Sequence, residues 1–371
     1  MALTLRQRSS AAPLALVYTA LLLYASLYPF GWRWPPGLSL AALLALPWPP
    51  WRDTFDVWSN VLGYVPLGLL LHVAQVRGGR IDWHAALLAL AAGSALSYAT
   101  EVTQQFVPGR VPSRVDWALN SAGVAAGIVL AMVLHALGLL QRWQALRERW
   151  FVRDSAGALS LLALWPLGLL FPTPVPLGLG HVAEQLRAWL LAALDRVPWA
   201  MEVSASLQAA EAPVARLPPL SDALVQLVGL LAPCLLAFSA ARRGWRRALL
   251  AAGLLGAGVL ATTLSTALSF GPANALAWVT PQTLPALGFG MLLATACAPL
   301  GQRAASGLGL GVLGALVVLV NQAPVDPYFA QSLQSWEQGR FIRFHGLALW
   351  IGWLWPYAAM SWLLSRLDRA D

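Results

Sequence analysis

The fold of this chain is decided by the stretch Ser97–Gly127, which reads SYATEVTQQFVPGRVPSRVDWALNSAGVAAG. Long apolar runs flank it on both sides, yet polar and charged side chains are concentrated within it. They are Glu101, Gln104, Gln105, Arg110, Arg114, Asp116 and Asn120. A charge at the centre of a membrane helix costs roughly 2.5–3.5 kcal/mol, so a concentration of them beside apolar runs indicates a functional role or a structural network.

The composition of the whole chain is typical of a membrane protein. Of its 371 residues, 58% are hydrophobic and 11% are charged, and the mean hydropathy is +0.63. Soluble domains have about 25% charged residues, so a soluble fold is excluded. The net charge of +8 comes from arginines at the ends of apolar segments. This placement favours cytoplasmic loops that follow the positive-inside rule, and we expect no nucleic-acid partner.

Cysteine and histidine positions predict neither a disulfide framework nor a metal site. Cys234 and Cys297 both lie in apolar segments without CxxC spacing, which is typical of packing residues. The histidines are scattered without the spacing of metal ligands. They are His72, His84, His135, His181 and His345. We therefore expect no metal and no cofactor.

The apolar segments predict an all-α, polytopic membrane protein with about ten transmembrane helices. The predicted spans are about 11–30, 56–76, 81–101, 116–139, 155–171, 220–240, 248–268, 283–300, 307–321 and 345–364. Within the connection between the fifth and sixth spans, HVAEQLRAWLLAALDR is amphipathic and too short to span, so it predicts an interfacial helix.

A basic amphipathic segment divides these spans into two groups. It is QRWQALRERWFVRD, residues 141–154, and it predicts a cytoplasmic connector on the membrane surface, with Trp143, Leu146, Trp150 and Phe151 facing lipid. The predicted domains are therefore a four-helix membrane domain over residues 1–140 and a second membrane domain over residues 155–371. The second has about six helices, and its outer-face loops 172–219 and 321–343 are expected to form ordered lids.

The arginine distribution predicts the orientation in the membrane. All 24 basic residues are arginine, and most of them lie on one side if ten spans alternate from a cytoplasmic N-terminus. Both basic clusters, Arg142–Arg153 and Arg242–Arg247, fall on that side. We therefore predict cytoplasmic N- and C-termini in a multi-pass protein of the inner membrane, with membrane lipids as its surroundings.

The polar stretch then faces outward, where three helix ends meet. Asp56 and Asn60 lie one helical turn apart at the start of the second span, and Asp116 and Asn120 repeat this spacing in the fourth. The candidate binding residues are Asp56, Asn60, Glu101, Gln104, Gln105, Arg110, Asp116 and Asn120. Arg110 is expected to pair with at least one of Glu101 and Asp116, because the charges then offset one another near the hydrocarbon edge.

These residues also resemble a known family. NVLGYVPLG (Asn60–Gly68) followed by EVTQQFVPGRVPSRVDWALNSAGVAAG (Glu101–Gly127) is similar to the VanZ-like family over about residues 10–140. The matching positions are Asn60, Pro66, Gly68, Glu101, Gln104, Arg110, Asp116, Asn120, Gly123 and Gly127. Many relatives carry a further acidic residue where this chain has Val115. The resemblance implies a cell-envelope role linked to resistance against the glycopeptide teicoplanin, and it implies no particular reaction.

Several functions fit the polar stretch. Arg110 and the amides are suited to bind an anionic or sugar-bearing envelope component, such as a lipid-linked precursor. Alternatively, the cluster is a structural network in which Asp116 caps a helix and Gly123 and Gly127 allow close packing. Acid–base catalysis by Glu101 with Asp116, or transport, are further alternatives, so the sequence leaves open whether the protein is an enzyme. It also leaves the oligomeric state open.

Overall fold

A computed structural model describes residues 11–27, 31–34, 37, 39–48, 54–194, 199, 201–209, 217–323 and 342–367 of the chain. Within these ranges every regular element is a helix, and the only strand-like pairing is one isolated bridge. The chain divides into two compact units, Met1–Arg149 and Trp150–Asp371, which are called unit 1 and unit 2 below. The all-α prediction is confirmed.

The helices follow the predicted apolar segments. Those that begin in unit 1 are α1 (Ala11–Leu27), α2 (Leu40–Ala45), α3 (Thr54–Arg77), α4 (Asp82–Gln104), α5 (Arg114–Ala136) and α6 (Leu139–Trp150). Those of unit 2 are α7 (Ala156–Gly168), α8 (Ala183–Leu194), α9 (Met201–Ala209), α10 (Pro219–Ala240), α11 (Trp245–Phe270), α12 (Thr283–Cys297), α13 (Gln302–Val320) and α14 (Ile342–Leu367). A short 3₁₀ turn, Pro272–Asn274, follows α11.

Within the described residues, seven helices are long and apolar enough to cross a membrane. They are α3, α4, α5, α10, α11, α13 and α14. Three shorter apolar helices, α1, α7 and α12, occupy the remaining predicted spans. The chain is thus a helical, membrane-embedded protein, and the count of ten spans stays a prediction.

Unit 1 is held together by the close approach of α3 and α5. Gly68 on α3 and Gly123 and Gly127 on α5 lie against the backbone of the facing helix, where an added Cβ would collide with a main-chain carbonyl. Small residues of this kind let two helix backbones approach closely and pack in a membrane. The packing expected from Gly123 and Gly127 is therefore present. Helix α4 packs against both α3 and α5, and α1 packs against α3.

Unit 2 is built around α10. This helix is buried over most of its length and packs against α7, α11, α12, α13 and α14. At its C-terminal end the fully buried Arg247 of α11 donates hydrogen bonds to the carbonyls of Phe238 and Ala241. The same side chain reaches the carbonyls of Ala298 and Leu300, which follow α12. One guanidinium therefore satisfies carbonyl groups at the ends of two helices.

The end of the basic connector differs from the sequence prediction. Trp143 and Leu146 are exposed as expected for lipid-facing residues, but Phe151 is buried in the core of unit 2. It forms the isolated antiparallel bridge with Ala241. Arg242 N donates to Trp150 O at 2.8 Å, and Val152 N donates to Ala240 O at 2.9 Å. These main-chain bonds draw Phe151 inward, which an amphipathic pattern does not reveal.

The connection after α7 is ordered where the structure describes it. Asn321, at the end of α13, accepts from the N–H groups of Val182 and Ala183 and so holds the start of α8. Trp189 of α8 packs on Trp350 and Trp353 of α14. The segment predicted to be an interfacial helix thus forms a helix, while its position at the membrane surface and the lids stay predictions. Residues 195–198, 200, 210–216 and 324–341 of the predicted lids lie outside the described residues.

Candidate functional site

The candidate site lies where α3 begins, α4 ends and α5 begins. Because α4 packs against α3 and α5 and each follows the previous one through a short connection, these three ends lie at one end of unit 1. A turn-rich loop, residues 105–113, joins α4 to α5. All eight predicted binding residues lie on these helix ends or in this loop.

The start of α5 is capped by Ser113. Its Oγ accepts from the N–H groups of Val115 at 3.0 Å and Asp116 at 3.3 Å. Its own N–H donates to Glu101 Oε2 at 3.0 Å, and both Ser113 and Glu101 are buried. The expectation that Asp116 caps this helix is therefore wrong, since Asp116 already lies inside the first turn. Glu101 instead joins the end of α4 to the start of α5.

Three polar side chains of the loop region bind main-chain carbonyls of unit 1. Gln104 Nε2 donates to Ser26 O at 3.0 Å, and Gln105 Nε2 donates to Leu43 O at 2.6 Å. Arg110 Nη2 donates to Ala25 O at 2.9 Å. These bonds fasten the loop to the end of α1 and to α2. The ion pair of Arg110 with Glu101 or Asp116 stays a prediction.

The amides of α3 and α5 make bonds between helices. Asn60 Nδ2 donates to Asp116 Oδ1 at 2.9 Å and links α3 to α5. One turn further along α5, Asn120 Nδ2 donates to Ser97 Oγ of α4 at 3.0 Å. Asn120 is 4% exposed, and its Oδ1 has no hydrogen-bond partner among the described residues.

Burial and hydrogen-bond partners together separate the eight residues into two groups. Glu101 and Asn120 are buried, and the loop side chains bind backbone, so this inner group organises the helix ends. Asp56 is exposed, and Asn60 and Asp116 are partly exposed, so this outer group faces the surroundings. The outer group is an acid–amide strip that the Asn60–Asp116 bond holds in place.

Sequence reasoning missed two further polar clusters in unit 1. Trp117 Nε1 donates to the carbonyl and the hydroxyl of Ser94, each at 3.1 Å, and Ser94 also contacts Ser121. The alignment of these residues on facing helices was the available signal, but serine is ordinary in membrane helices. At the other end of the unit, buried His72 binds Asp82 at 3.1 Å beside a cavity of about 280 Å³.

The side chains at this end of unit 1 can form hydrogen bonds and charge pairs with a ligand. Among the described residues no group of three or more His, Cys, Asp or Glu side chains is placed to hold a metal ion. The carboxylates of Glu101 and Asp116 are both engaged, with Ser113 N and Asn60 Nδ2 respectively. The arrangement is therefore suited to recognise a polar group that approaches Asp56, Asn60 and Asp116.

Apolar helices with a polar network at one end of a bundle define a polytopic helical membrane protein. Within this class, residues 15–135 match the model of the VanZ/LLP1 family, which confirms the resemblance of the N-terminal part. Unit 1 thus carries a VanZ-like domain, and the match ends before α6. No curated protein and no solved structure matches the chain.

Proposed function

We propose that the protein is a ten-span protein of the inner membrane with a cell-envelope role, in which unit 1 binds a sugar-bearing, lipid-linked envelope component. The VanZ/LLP1 match of residues 15–135 supports the envelope context and a link to teicoplanin resistance. The three short apolar helices support ten spans, and the arginine distribution supports cytoplasmic termini.

The observation that carries the proposal is the partly exposed Asn60–Asp116 pair. Carboxylate and amide oxygens accept hydrogen bonds from hydroxyl groups, and an amide also donates. Exposed Asp56 lies one turn before Asn60 and extends the same strip. Arg110 and the exposed Arg114 each donate to a main-chain carbonyl, of Ala25 and Ala45 respectively, while the side chains of the strip itself supply carboxylate and amide oxygens. Acceptors of this kind suit a sugar with many hydroxyl groups.

The inner group gives this binding surface its rigidity. Glu101 fixes Ser113, Ser113 caps α5, and the cap places Asp116 opposite Asn60. A structural network and a binding site are therefore two parts of one arrangement. Side chains whose positions are fixed before binding lose less entropy on binding, which favours affinity.

The proposed orientation has a direct test. A green fluorescent reporter fused after Asp371 is expected to fluoresce, because both termini are proposed to be cytoplasmic. A matched fusion carries a periplasmic phosphatase at the same position and is expected to be inactive. Phosphatase activity without fluorescence would contradict the orientation.

Binding is tested with two probes that differ only in the sugar. The protein in lipid nanodiscs is mixed with polyprenyl phosphate bearing N-acetylglucosamine or with the unglycosylated polyprenyl phosphate, and retained lipid is measured by native mass spectrometry. The wild type is expected to retain the glycosylated probe preferentially. Asp116→Asn removes a charged acceptor but can keep the bond to Asn60, so its affinity for that probe should fall about tenfold.

A matched carboxylate-to-amide change at the other end of unit 1 serves as the control. Asp82→Asn is expected to retain the glycosylated probe as the wild type does. Equal retention of both probes, or an unchanged affinity in Asp116→Asn, would show that the strip does not recognise a sugar. In a teicoplanin-sensitive host, the wild type but not Asp116→Asn should raise the tolerated teicoplanin concentration.

A further inference from the structure

Unit 2 contains a cavity of about 530 Å³. It lies where α7 ends, α10 begins, α11 ends and α12 begins, and all of its lining residues belong to unit 2, whereas the polar strip belongs to unit 1. Ligand pockets typically have volumes of about 300–1,000 Å³, so this one has room for a small molecule or a lipid headgroup. Its polar lining includes Thr173, Asp222, Thr262, Ser265, Thr266 and Asn274.

The hydroxyl groups of the lining offer acceptors and few donors. Thr173, Ser265 and Thr266 each donate to a main-chain carbonyl, at 2.7, 2.9 and 2.9 Å. A hydroxyl group has one hydrogen, so after this bond only its lone pairs remain for a ligand. Asn274 donates one of its two Nδ2 hydrogens to Phe270 O at 2.8 Å, and its amide oxygen is a further acceptor. The cavity wall is therefore suited to a ligand that donates hydrogen bonds.

Thr262 indicates a missing hydrogen-bond partner, and Asp222 gives the wall a negative charge. Thr262 is 8% exposed, and its hydroxyl has no hydrogen-bond partner among the described residues. Asp222 Oδ2 accepts from Gln226 Nε2 at 3.0 Å, and Gln226 is fully buried, so the carboxylate is held in place from behind. Asp222 is the one ionisable residue among the described residues that line the cavity.

The wall of the cavity also has an apolar and aromatic part. Phe270 and Trp278 line the cavity together with Leu169 and several prolines. Aromatic faces attract cations, and a carboxylate supplies the opposite charge. An anionic ligand would instead meet the Asp222 carboxylate with no described basic side chain in the wall to offset it.

We propose that this cavity binds a protonated amine carried on an apolar body, with Asp222 as its counter-ion. The ammonium group donates to the Asp222 carboxylate and to the lone pairs of Thr262 and its neighbouring hydroxyls. Phe270 and Trp278 contact the apolar body. A soluble amphiphilic amine and the ethanolamine headgroup of a membrane phospholipid share this chemistry.

The experiment compares a charged probe with its neutral counterpart. The full-length protein is placed in nanodiscs of phosphatidylglycerol, which carries no amine, and titrated with 2-phenylethylammonium or 2-phenylethanol by calorimetry. After subtraction of a titration into empty nanodiscs, whose anionic lipid also attracts the ammonium, the ammonium is expected to bind at least about tenfold more tightly than the alcohol, because only the ammonium forms an ion pair with Asp222. Asp222→Asn is expected to lower the ammonium affinity about tenfold and to leave the alcohol affinity unchanged.

The experiment includes a control variant, Glu184→Gln, and a second variant of the cavity wall, Thr262→Val. Glu184→Gln removes an exposed carboxylate of α8 that lies 3.7 Å from Arg187 and does not line the cavity, so it should bind as the wild type does. If thermal unfolding shows that Asp222→Asn does not fold, Thr262→Val decides, with an expected severalfold loss of ammonium affinity. Equal affinity for both probes, or wild-type ammonium affinity in the folded variant, would overturn the proposal.

The source of the amine is resolved by adding phosphatidylethanolamine to the nanodiscs. If the lipid headgroup is the natural ligand, it competes with 2-phenylethylammonium and is retained by the wild type but not by Asp222→Asn. If a soluble amine is the ligand, the affinity of the probe is unchanged by this lipid. Both outcomes support the amine site and assign its source.

Discussion

Arg247→Met is expected to destabilise unit 2 by about 1–3 kcal/mol for each buried carbonyl group that it leaves without a hydrogen-bond donor. Arg247 is fully buried and donates to four carbonyl groups, those of Phe238, Ala241, Ala298 and Leu300, at distances of 2.6–3.3 Å. Methionine fills a similar volume but leaves these carbonyls unpaired, and an unpaired buried acceptor costs about 1–3 kcal/mol.

Two further variants separate hydrogen bonding from charge. Arg247→Lys keeps the positive charge but supplies three donors from a single point, so it cannot reach four carbonyls and should also be strongly destabilised. Arg242→Met removes an exposed arginine of the same cluster and should unfold at about the wild-type temperature. The measurement is thermal unfolding in nanodiscs. Wild-type stability of Arg247→Met would show that the hydrogen bonds of Arg247 do not stabilise unit 2.

The same arginine cluster shows why hydrophobicity predicts spans better than contacts. The charge of ARRGWRR predicts a turn between two spans, and the turn between α10 and α11 is indeed there. The composition of the cluster does not distinguish buried Arg247 from exposed Arg242 and Arg243. Arg247 donates to the carbonyl groups of residues 298 and 300, which lie far from it in the sequence. Only the folded chain brings these carbonyls within hydrogen-bond distance of its guanidinium.

In the candidate site, too, the sequence predicts where helix ends lie but not the contacts that their side chains make. Sequence spacing places Asp56, Asn60, Asp116 and Asn120 at one end of a helix bundle, because residues four apart share a helix face. It did not predict that Ser113 caps α5, although Ser113 and Asp116 have the spacing of a capping motif that could have revealed it. The cavity of unit 2 was missed entirely, because its polar residues are spread between Thr173 and Thr280 and meet only in the folded chain.

Gly127→Ala and Gly63→Ala are expected to change stability in opposite directions. At Gly127 an added methyl group would collide with the carbonyl of Val65 and lie 2.8 Å from Leu69 N on α3. Both obstacles are backbone atoms, which cannot rotate away as a side chain can. The helices must then separate, and overpacking of this kind costs about 1–3 kcal/mol.

Gly63 provides the matched control on the facing helix. An added methyl group there meets nothing within 4 Å. Alanine loses less backbone entropy than glycine in a helix, so Gly63→Ala should gain up to about 0.5–1 kcal/mol. The helix propensity gained by replacing glycine with alanine is the same in both variants. The difference between their free energies of unfolding therefore measures the packing of α3 against α5.

The consequence of Gly127→Ala extends to the proposed binding surface. If α3 and α5 separate, the Asn60–Asp116 bond, 2.9 Å in the wild type, lengthens, and the strip loses its fixed geometry. Gly127→Ala should therefore retain less of the glycosylated polyprenyl phosphate as well as unfold at a lower temperature, whereas Gly63→Ala should bind as the wild type does. If Gly127→Ala were as stable as Gly63→Ala, the close packing of these helices would not be what holds unit 1 together. If it were less stable but bound the probe normally, the Asn60–Asp116 bond would not depend on that packing.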